Sequence, residues 1–340
     1  MKLVNENVLI FGGTGSLGKA LIRRLREDNQ LSIFSRDEAK HWTIKNQLTD
    51  QKEIEFFVGD IRDQNRVSEV CKKTNPSIII IASALKQVDT CEVSPFESIQ
   101  TNTLGVRNVC ESAIHLGDLL PSLHTVLLVS TDKACAPTNV YGMSKALAER
   151  LVTSYESYQS KTKFVAVRYG NVLESRGSII PLFKHQIESG GPLTVTDRRM
   201  TRFIMTLDQS IDLIERTIKS SQSGEIWIPR IPAMRILDLA SIFASRSSST
   251  IDFTGMRPGE KLHEDLVSEP ESIRTTEKDA HYVIDSPFSL NVRESGIFNY
   301  TSNQDLLEKE KLESYLESMG IFNMKLNDFL GREIEEIRGR

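Results

Sequence analysis

The sequence has few of the features that mark membrane, secreted or metal-binding proteins. Its longest apolar run, residues 78–82, is far shorter than the ~20 residues of a membrane-spanning helix, and no signal-like apolar stretch follows the first lysine. The cysteines include no CxxC pair, and the histidines form no ligand-spaced cluster. Lysine and arginine (42) do not outnumber aspartate and glutamate (46), which argues against a nucleic-acid partner. We therefore expect a reduced, cytoplasmic protein with no metal centre and no membrane insertion.

Strand and helix patterns alternate along the first half of the chain. Short apolar segments recur at residues 7–11, 31–34, 54–58, 77–82, 125–129 and 164–167, and helical segments of roughly 10 to 20 residues separate them. The run of isoleucines at 78–81 suits a strand that is buried on both faces. These patterns predict an α/β fold with a doubly wound parallel sheet, of the Rossmann type.

The predicted organisation has three parts. Residues 1–170 form the dinucleotide-binding domain, with a later contribution from about 204–232 that contains a helix at 207–219 and a strand at 225–229. Residues 171–203 and 233–285 form a smaller, loop-rich substrate-binding portion, in which the serine-rich segment 245–249 predicts a loop. Residues 286–340 form a C-terminal helical tail whose charge runs predict a solvated face.

A glycine-rich turn follows the first strand and opens a helix. Glycines at this spacing permit a tight turn, close approach to a pyrophosphate and close packing of helix on strand. The helix N-terminus adds N–H donors and a partial positive charge for the anion. The strand–turn–helix context therefore favours a dinucleotide site over a simple turn, with these expected ligands: Gly12, Thr14, Gly15, Ser16, Leu17 and Gly18.

The end of the second strand predicts which dinucleotide binds. NAD enzymes usually place an acidic residue here for the ribose hydroxyls, whereas this chain has Ser35 and Arg36. A guanidinium suits a 2′-phosphate, so the sequence favours NADP. The alternative is that Arg36 is a surface arginine and Asp37 the ribose ligand, which would favour NAD. The remaining residues predicted to bind the cofactor lie further along the chain: Asp60, Ile61, Ala82, Ala84, Lys86, Tyr141 and Lys145.

Two groups of polar residues predict catalysis. Tyr141 and Lys145 are four residues apart, so on a helix their side chains lie on one face. A neighbouring lysine and an oxidised nicotinamide would lower the tyrosine pKa towards that of a useful base. Thr131, Asp132 and Lys133 follow a central strand, where α/β sheets place their chemistry. The alternative for Asp132 and Lys133 is an ion pair on a loop without a catalytic role.

The segments that carry these residues resemble those of a known family. GGTGSLGK (12–19), STDKA (130–134), YGMSK (141–145), RYGNV (168–172), RMTRF (199–203) and RPGEKLHE (257–264) are similar to the extended short-chain dehydrogenase/reductases. Within them, the chain resembles the inverting UDP-N-acetylglucosamine 4,6-dehydratases from about residue 8 to 264. Retaining dehydratases typically carry Asp-Glu where this chain has Asp132-Lys133, and 4-epimerases have neither.

The resemblance implies an NADP-dependent dehydration. Tyr141, helped by Lys145 and Thr131, would take the 4-hydroxyl proton while hydride leaves carbon 4. Lys133 would remove the carbon 5 proton and Asp132 would protonate the departing 6-hydroxyl. Hydride returns to carbon 6 and carbon 5 is inverted, giving UDP-2-acetamido-2,6-dideoxy-L-arabino-hexos-4-ulose for a surface glycan. The alternatives are a UDP-sugar 4-epimerase, a retaining dehydratase and a non-catalytic NADP-binding scaffold.

The substrate side of the site is predicted from chemistry and from the resemblance together. Arg257 suits a pyrophosphate and Glu260 suits ribose hydroxyls, whereas a surface salt bridge is the alternative for any single arginine. The expected partner is UDP-N-acetylglucosamine, and relatives suggest a homo-oligomer, from dimer to hexamer. The residues expected to contact this substrate are Lys86, Asn171, Arg176, Ser178, Arg202, Arg257 and Glu260.

Overall fold

The computed structural model describes residues 2–47, 54–158, 160–173, 175, 178–288 and 296–326. The chain folds into two compact units. Unit 1 contains residues 1–169, 208–230 and 267–299, and unit 2 contains residues 170–207, 231–266 and 300–340. The predicted catalytic and cofactor residues belong to unit 1, and the described substrate residues other than Lys86 belong to unit 2.

Sixteen strands are found in the described residues. In chain order they are β1 (Asn7–Phe11), β2 (Gln30–Ser35), β3 (Glu55–Val58), β4 (Ile78–Ile81), β5 (Thr125–Val129), β6 (Lys163–Val167), β7 (Asn171–Val172), β8 (Leu193–Val195), β9 (Thr201–Met205), β10 (Ile226–Pro229), β11 (Ala233–Arg235), β12 (Ile251–Phe253), β13 (Asp265–Val267), β14 (Thr275–Lys278), β15 (His281–Ile284) and β16 (Tyr300–Thr301).

The helices of the described residues follow the same order along the chain. They are α1 (Ser16–Leu25), α2 (Glu38–Gln47), α3 (Gln64–Thr74), α4 (Val88–Val93), α5 (Pro95–Ile99), α6 (Gly105–Leu116), α7 (Val140–Ser154), α8 (Ile179–Glu188), α9 (Leu207–Ser220), α10 (Ile236–Ser247), α11 (Glu269–Ser272) and α12 (Lys309–Ser318). A π-helical turn, Gln100–Leu104, joins α5 to α6, and a 3₁₀ turn, Asp132–Ala134, follows β5.

Unit 1 is built on a nine-stranded sheet in the order β14-β15-β10-β6-β5-β4-β1-β2-β3. The seven strands from β10 to β3 run parallel, and β15 and β14 add an antiparallel edge. All four isoleucines of β4 are fully buried, because helices cover both faces of a parallel sheet of this kind. The predicted doubly wound α/β fold is confirmed. The chain order reverses beside β1 and β4, where such sheets bind their ligands.

Unit 2 contains the smaller sheets and a separate core. Strands β7, β9 and β11 form one sheet, and β8 pairs with β12. The core is formed largely by apolar residues of α8, α10 and α12, with Phe183 packed against Phe243. The organisation predicted from sequence differs in two places. Residues 267–285, expected in the second portion, belong to unit 1, where they supply β14 and β15 of the large sheet. The tail expected to be helical, 286–340, contains strand β16 before helix α12.

The serine-rich segment 245–249 is predicted from sequence to be a loop, and that prediction is wrong for its first half. Helix α10 continues to Ser247, since the hydroxyls of Ser245 and Ser247 donate back to the carbonyls of Ile242 and Phe243 within the helix. The helix ends where Ser248 adopts the left-handed conformation, at φ 55°.

Candidate active site

The turn after β1 contains three glycines, and a different physical constraint explains each of them. Gly12 has φ 86°, and a Cβ there would lie 2.6 Å from the backbone nitrogen of Ser83, beyond β4. At Gly18 a Cβ would lie 2.3 Å from the carbonyl oxygen of Gly13, so α1 packs closely on the turn. Both positions exclude a side chain because of the protein's own backbone.

Gly15 differs, because nothing in the described protein requires a glycine there. Its φ is −73°, and an added Cβ would meet only the carbonyl oxygen of Gly12, at an ordinary 3.6 Å. The position is the N-cap of α1, next to Ser16 and Leu17, where main-chain N–H groups and the helix dipole favour an anion. Close approach of a pyrophosphate accounts for a glycine that neither strain nor packing demands. The turn therefore fits a dinucleotide.

The end of β2 carries a mixed set of polar groups. The Ser35 hydroxyl is buried, 2.7 Å from His41 Nε2 and 3.4 Å from the Thr14 hydroxyl. Arg36 is more than half exposed, with its guanidinium 3.9 Å from the Asp60 carboxylate. These contacts hold Ser35 in place beside the glycine turn and leave Arg36 extended towards solvent.

Both carboxylates near Arg36 already have cationic partners. Asp37 accepts hydrogen bonds from the backbone N–H and the ammonium of Lys40, which lower the pKa of its carboxyl. Asp60 accepts two hydrogen bonds from the Arg62 guanidinium, 2.7 and 2.9 Å long, and one from the Arg62 backbone. An Asp37 that is engaged by Lys40 is a poorer ribose ligand than the NAD alternative requires.

The other residues predicted to bind the cofactor lie on the segments after β3 and β4. Ile61 is buried, and Gly105 of α6 has no room for a Cβ because the Ile61 side chain would lie 2.7 Å away. Ala82 is half-buried, whereas Ala84 and Lys86 are exposed. These positions are compatible with the prediction and do not test it.

Sequence reasoning missed the residue that holds the 84–86 segment. Asn102, fully buried in the π-helical turn, accepts from the backbone N–H of Leu85 at 2.8 Å and donates to its carbonyl at 2.9 Å. The same amide donates to the hydroxyl of Ser144, between Tyr141 and Lys145 on α7, at 3.0 Å. One side chain thus links the cofactor-side segment to the catalytic helix.

The predicted catalytic residues are brought together at the carboxyl end of β5. Thr131 caps the 3₁₀ turn that carries Asp132 and Lys133, and the Asp132 N–H donates to the Tyr169 carbonyl at 2.9 Å. A Cβ on Gly142 of α7 would lie 2.2 Å from the Lys133 carbonyl oxygen. The glycine that follows Tyr141 therefore lets the catalytic turn pack directly against the catalytic helix.

Asp132 and Lys133 form an ion pair in which only one oxygen of the carboxylate accepts hydrogen bonds. The Lys133 ammonium lies 3.0 Å from Asp132 Oδ1, and the Thr131 hydroxyl donates to the same oxygen at 2.9 Å. Asp132 is 1% exposed, and its second oxygen, Oδ2, is buried without a hydrogen-bond partner among the described residues. A buried carboxylate oxygen with no partner costs free energy unless a ligand satisfies it.

Burial dominates the pKa values of Tyr141 and Lys145. It raises the pKa of Tyr141 to about 12, although the positive charge of Lys133 and a hydrogen bond with Thr131 act to lower it. Burial lowers the pKa of Lys145 to about 8, while its ammonium donates to the Val129 carbonyl at 2.7 Å. A lysine does act to lower the tyrosine pKa, as expected, but it is Lys133, and burial outweighs its effect.

A buried triad of charges that sequence reasoning missed lies beside this turn. Arg168, at the end of β6, donates two hydrogen bonds to Glu149 of α7 and two to Glu271 of α11, between 2.6 and 3.0 Å long. Glu271 also accepts from Ser268 and, at 3.4 Å, from the thiol of Cys135. Arg168 follows a strand directly, which is the one signal that the sequence carried.

Five of the predicted substrate residues are described in unit 2: Asn171, Ser178, Arg202, Arg257 and Glu260. Asn171 begins β7, and its Oδ1 is buried without a partner in the described part of the chain. Ser178 donates to the Leu173 carbonyl at 2.8 Å, and Arg176 lies outside the described residues. Arg202 is nearly buried, donating to the carbonyls of Thr201 and Leu262.

The last two substrate candidates form a turn of their own. The Arg257 N–H donates to the Glu260 carboxylate at 3.0 Å, and the Glu260 N–H donates to the Arg257 carbonyl at 3.1 Å. This leaves the side chain of Arg257 exposed. The pair is therefore preorganised by its own backbone, with the guanidinium available to a ligand.

Comparison with known proteins places this geometry in a family. Residues 8–286 match the model of the polysaccharide biosynthesis protein family. The chain belongs to this family. One relative, 37% identical over 91% of this chain and 96% of its own length, is the inverting UDP-N-acetylglucosamine 4,6-dehydratase of Campylobacter jejuni. The resemblance drawn from the sequence motifs is confirmed.

Two other relatives show how broad the family is. The UDP-glucose 4-epimerase of Rickettsia bellii is 39% identical over 83% of each chain. The crystal structure of Pen from Bacillus thuringiensis is 35% identical, covers 94% of this chain and 99% of its own, and superposes with a TM-score of 0.86. Family membership thus indicates a nucleotide-sugar dehydratase or epimerase and leaves the choice between them to the residues of the site.

The described residues offer neither a membrane span nor a metal centre. No helix there has both the length and the apolar character needed to cross a membrane. No cluster of three or more histidine, cysteine, aspartate or glutamate side chains in that part of the chain could hold a metal ion. All four cysteines are buried, and none of them forms a disulfide.

Proposed function

We propose that this protein is an inverting UDP-N-acetylglucosamine 4,6-dehydratase that uses NADP. The observation that carries the proposal is the Asp132–Lys133 pair, in which one carboxylate oxygen is fully engaged and the other is buried without a partner among the described residues. An epimerase has no use for an acid and an amine at this position. A dehydratase needs both, since it must remove the carbon 5 proton and protonate a departing hydroxyl.

The ion pair supplies the required acid and base through a single proton shift. Movement of one proton along the 3.0 Å contact converts the ammonium and carboxylate into an amine and a carboxylic acid. Lys133 then takes the proton from carbon 5, and Asp132 gives its proton to the 6-hydroxyl, which leaves as water. These two transfers restore the ammonium and the carboxylate, so the pair is ready for the next cycle.

The redox half of the reaction is assigned to Tyr141, Thr131 and Lys145. A nicotinamide ring bound here would accept the hydride from carbon 4 and return it to carbon 6. Tyr141 takes the 4-hydroxyl proton, and the Thr131 hydroxyl, which acts to lower the pKa of the phenol, orients it. Because burial outweighs the charge of Lys133 and leaves the pKa of Tyr141 at about 12, a further positive charge must offset that burial when the base acts.

The remaining contacts follow from the same proposal. The glycine turn and Gly15 hold the pyrophosphate of the dinucleotide, and Arg36 holds its 2′-phosphate. Tyr141 releases its proton to solvent, and a proton from solvent reaches carbon 5 from the opposite face, which inverts that centre. We further propose a cytoplasmic homo-oligomer whose product feeds a surface-glycan pathway. The residues that contact the nucleotide of the substrate are Lys86, Asn171, Arg176, Ser178, Arg202, Arg257 and Glu260.

Mass spectrometry of the product tests the reaction. Wild-type protein with NADP⁺ should convert UDP-N-acetylglucosamine to a species lighter by one water, whereas Lys133→Met should lower this rate by about 10²–10⁴-fold. The variant should still bind the dinucleotide, and Lys72→Met, which removes an exposed lysine of α3, should leave turnover unchanged. Undiminished water loss in Lys133→Met would contradict the role of Lys133.

The second candidate function is a UDP-sugar 4-epimerase, favoured by the Rickettsia bellii relative. It would leave the substrate mass unchanged and would tolerate Lys133→Met. The same mass measurement therefore separates the two.

The choice of dinucleotide has its own test. Arg36 is more than half exposed beside the carboxylate of Asp60, and its removal leaves the glycine turn untouched. Arg36→Ser should weaken NADP⁺ binding about tenfold or more while NAD⁺ binding changes little. Equal loss for both dinucleotides, measured by calorimetry, would contradict the 2′-phosphate contact.

A further inference from the structure

Besides the candidate active site, unit 1 contains a pocket behind the turn that carries Asp132 and Lys133. Its volume is about 200 Å³. One wall is the segment that follows Lys133, through Ala134, Ala136 and Pro137. The other walls carry five charged side chains: Arg150, Arg168, Arg274, Glu149 and Glu271. Three positive charges therefore surround the pocket against two negative ones.

The carboxylate oxygens that line the pocket already accept hydrogen bonds from the protein. Arg168 is 1% exposed and donates two hydrogen bonds to each glutamate, so both oxygens of Glu149 and both of Glu271 accept from it. Glu271 accepts further hydrogen bonds from the backbone and hydroxyl of Ser268. These two carboxylates are therefore committed to the triad, and in the described residues neither accepts a hydrogen bond from Arg150 or Arg274.

The donors of the pocket are not all used. Arg274 donates from Nη1 to the Asp285 carbonyl, but its Nη2 is buried with no hydrogen-bond partner in the described residues. Arg150 lies exposed, and its guanidinium has no ion-pair partner in that same part of the chain. Burial and the charge of Arg150 lower the pKa of Arg274, although the charges of Glu271 and Asp285 act to raise it.

We propose that this pocket binds a phosphate-sized oxyanion between Arg150 and Arg274. Spare guanidinium donors, committed carboxylates and one surplus positive charge together select an anion, and a planar guanidinium matches the paired oxygens of a phosphate group. The bound anion contacts the segment directly after Lys133, in which Ala136 adopts a left-handed φ of 41°. The site requires no assumption about the reaction.

Calorimetric titration with inorganic phosphate tests the proposal. The protein is saturated with NADP⁺, so that the glycine turn is occupied, and potassium chloride of equal ionic strength serves as the blank. We expect one saturable site in the wild type, bound at least tenfold more weakly by both Arg274→Gln and Arg150→Gln. Arg23→Gln, which removes an exposed arginine of α1, should bind phosphate as the wild type does.

Hydrogen exchange then locates the bound anion. Phosphate should slow exchange in residues 134–137 of the wild type and not in Arg150→Gln, an exposed position whose substitution spares the buried triad. The proposal is overturned if phosphate gives no more heat than chloride. It is also overturned if both arginine variants bind as the wild type does, or if protection appears only at the glycine turn.

Discussion

Two buried groups of charges in unit 1 have opposite characters. In the triad Glu149–Arg168–Glu271, each oxygen of both carboxylates accepts a hydrogen bond from the guanidinium. In the pair Asp132–Lys133, one carboxylate oxygen accepts two hydrogen bonds while the other has no partner in the described residues. Both carboxylate groups are removed from water, so the difference lies in how completely each is satisfied.

The difference separates a stabilising arrangement from a reactive one. Fully compensated buried charges hold secondary structure together, here α7, β6 and α11, and have no capacity left for a ligand. A buried oxygen without a hydrogen-bond partner lowers the stability of the fold, and proteins retain such groups where function needs them. The triad should therefore govern stability, and the pair should govern turnover.

The largest expected effect on stability comes from breaking the triad at its centre. Arg168→Met leaves two buried carboxylates without compensation, so the free energy of unfolding should fall by about 3–5 kcal/mol. Chemical denaturation measures this. Arg199→Met is the control, since it removes an exposed arginine that pairs with Asp197, and it should change stability little. Equal losses in the two variants would show that the triad is not the stabilising group.

At Glu271 we expect a smaller effect on the free energy of unfolding, and one that depends on pH. The Arg168 guanidinium holds the pKa of the Glu271 carboxyl well below its ordinary value of 4.5. Below pH 4.5 the unfolded chain therefore binds a proton that the folded chain does not, so this stabilisation is present above pH 4.5 and is lost as the pH falls.

Glu271→Gln makes this dependence measurable. At neutral pH the variant should lose about 1.5–3 kcal/mol of unfolding free energy, because it weakens charged hydrogen bonds. The gap between wild type and variant should narrow as the pH falls below 4.5 in urea denaturation series. A gap that stays constant down to pH 3 would contradict the assigned charge pairing.

The smallest effect on stability should come from the pair itself. Asp132→Asn removes a buried charge whose second oxygen lacks a partner among the described residues, so the free energy of unfolding should change by less than about 1 kcal/mol. Turnover should nevertheless fall by about 10²–10⁴-fold, because an amide cannot protonate the leaving hydroxyl. A loss of stability comparable to that of Arg168→Met would remove the distinction between the two groups.

Much of the fold is predictable because local patterns decide it. The predicted β5 strand has its observed bounds, and the glycine turn lies between β1 and α1 as expected. Apolar runs and glycines determine the structure of the few residues around them, so their effect can be predicted from the sequence. The catalytic turn and helix are likewise legible as motifs, although their roles remain proposals.

What escapes prediction depends on contacts between distant parts of the chain. Arg168 is 19 residues from Glu149 and 103 from Glu271, and no spacing rule connects them. The direction of the Tyr141 pKa is missed for a related reason, since burial by the folded chain outweighs the charge of its neighbour. Packing in three dimensions, rather than residue type, decides both.

The central claim is that Lys133 removes the carbon 5 proton and that a new proton arrives on the opposite face. Running the reaction in heavy water and examining the product by NMR tests it directly. The account predicts one deuterium at carbon 5, with inverted configuration there, in a product that has lost one water. A product that keeps the original hydrogen at carbon 5, or one that retains its 6-hydroxyl, would contradict it.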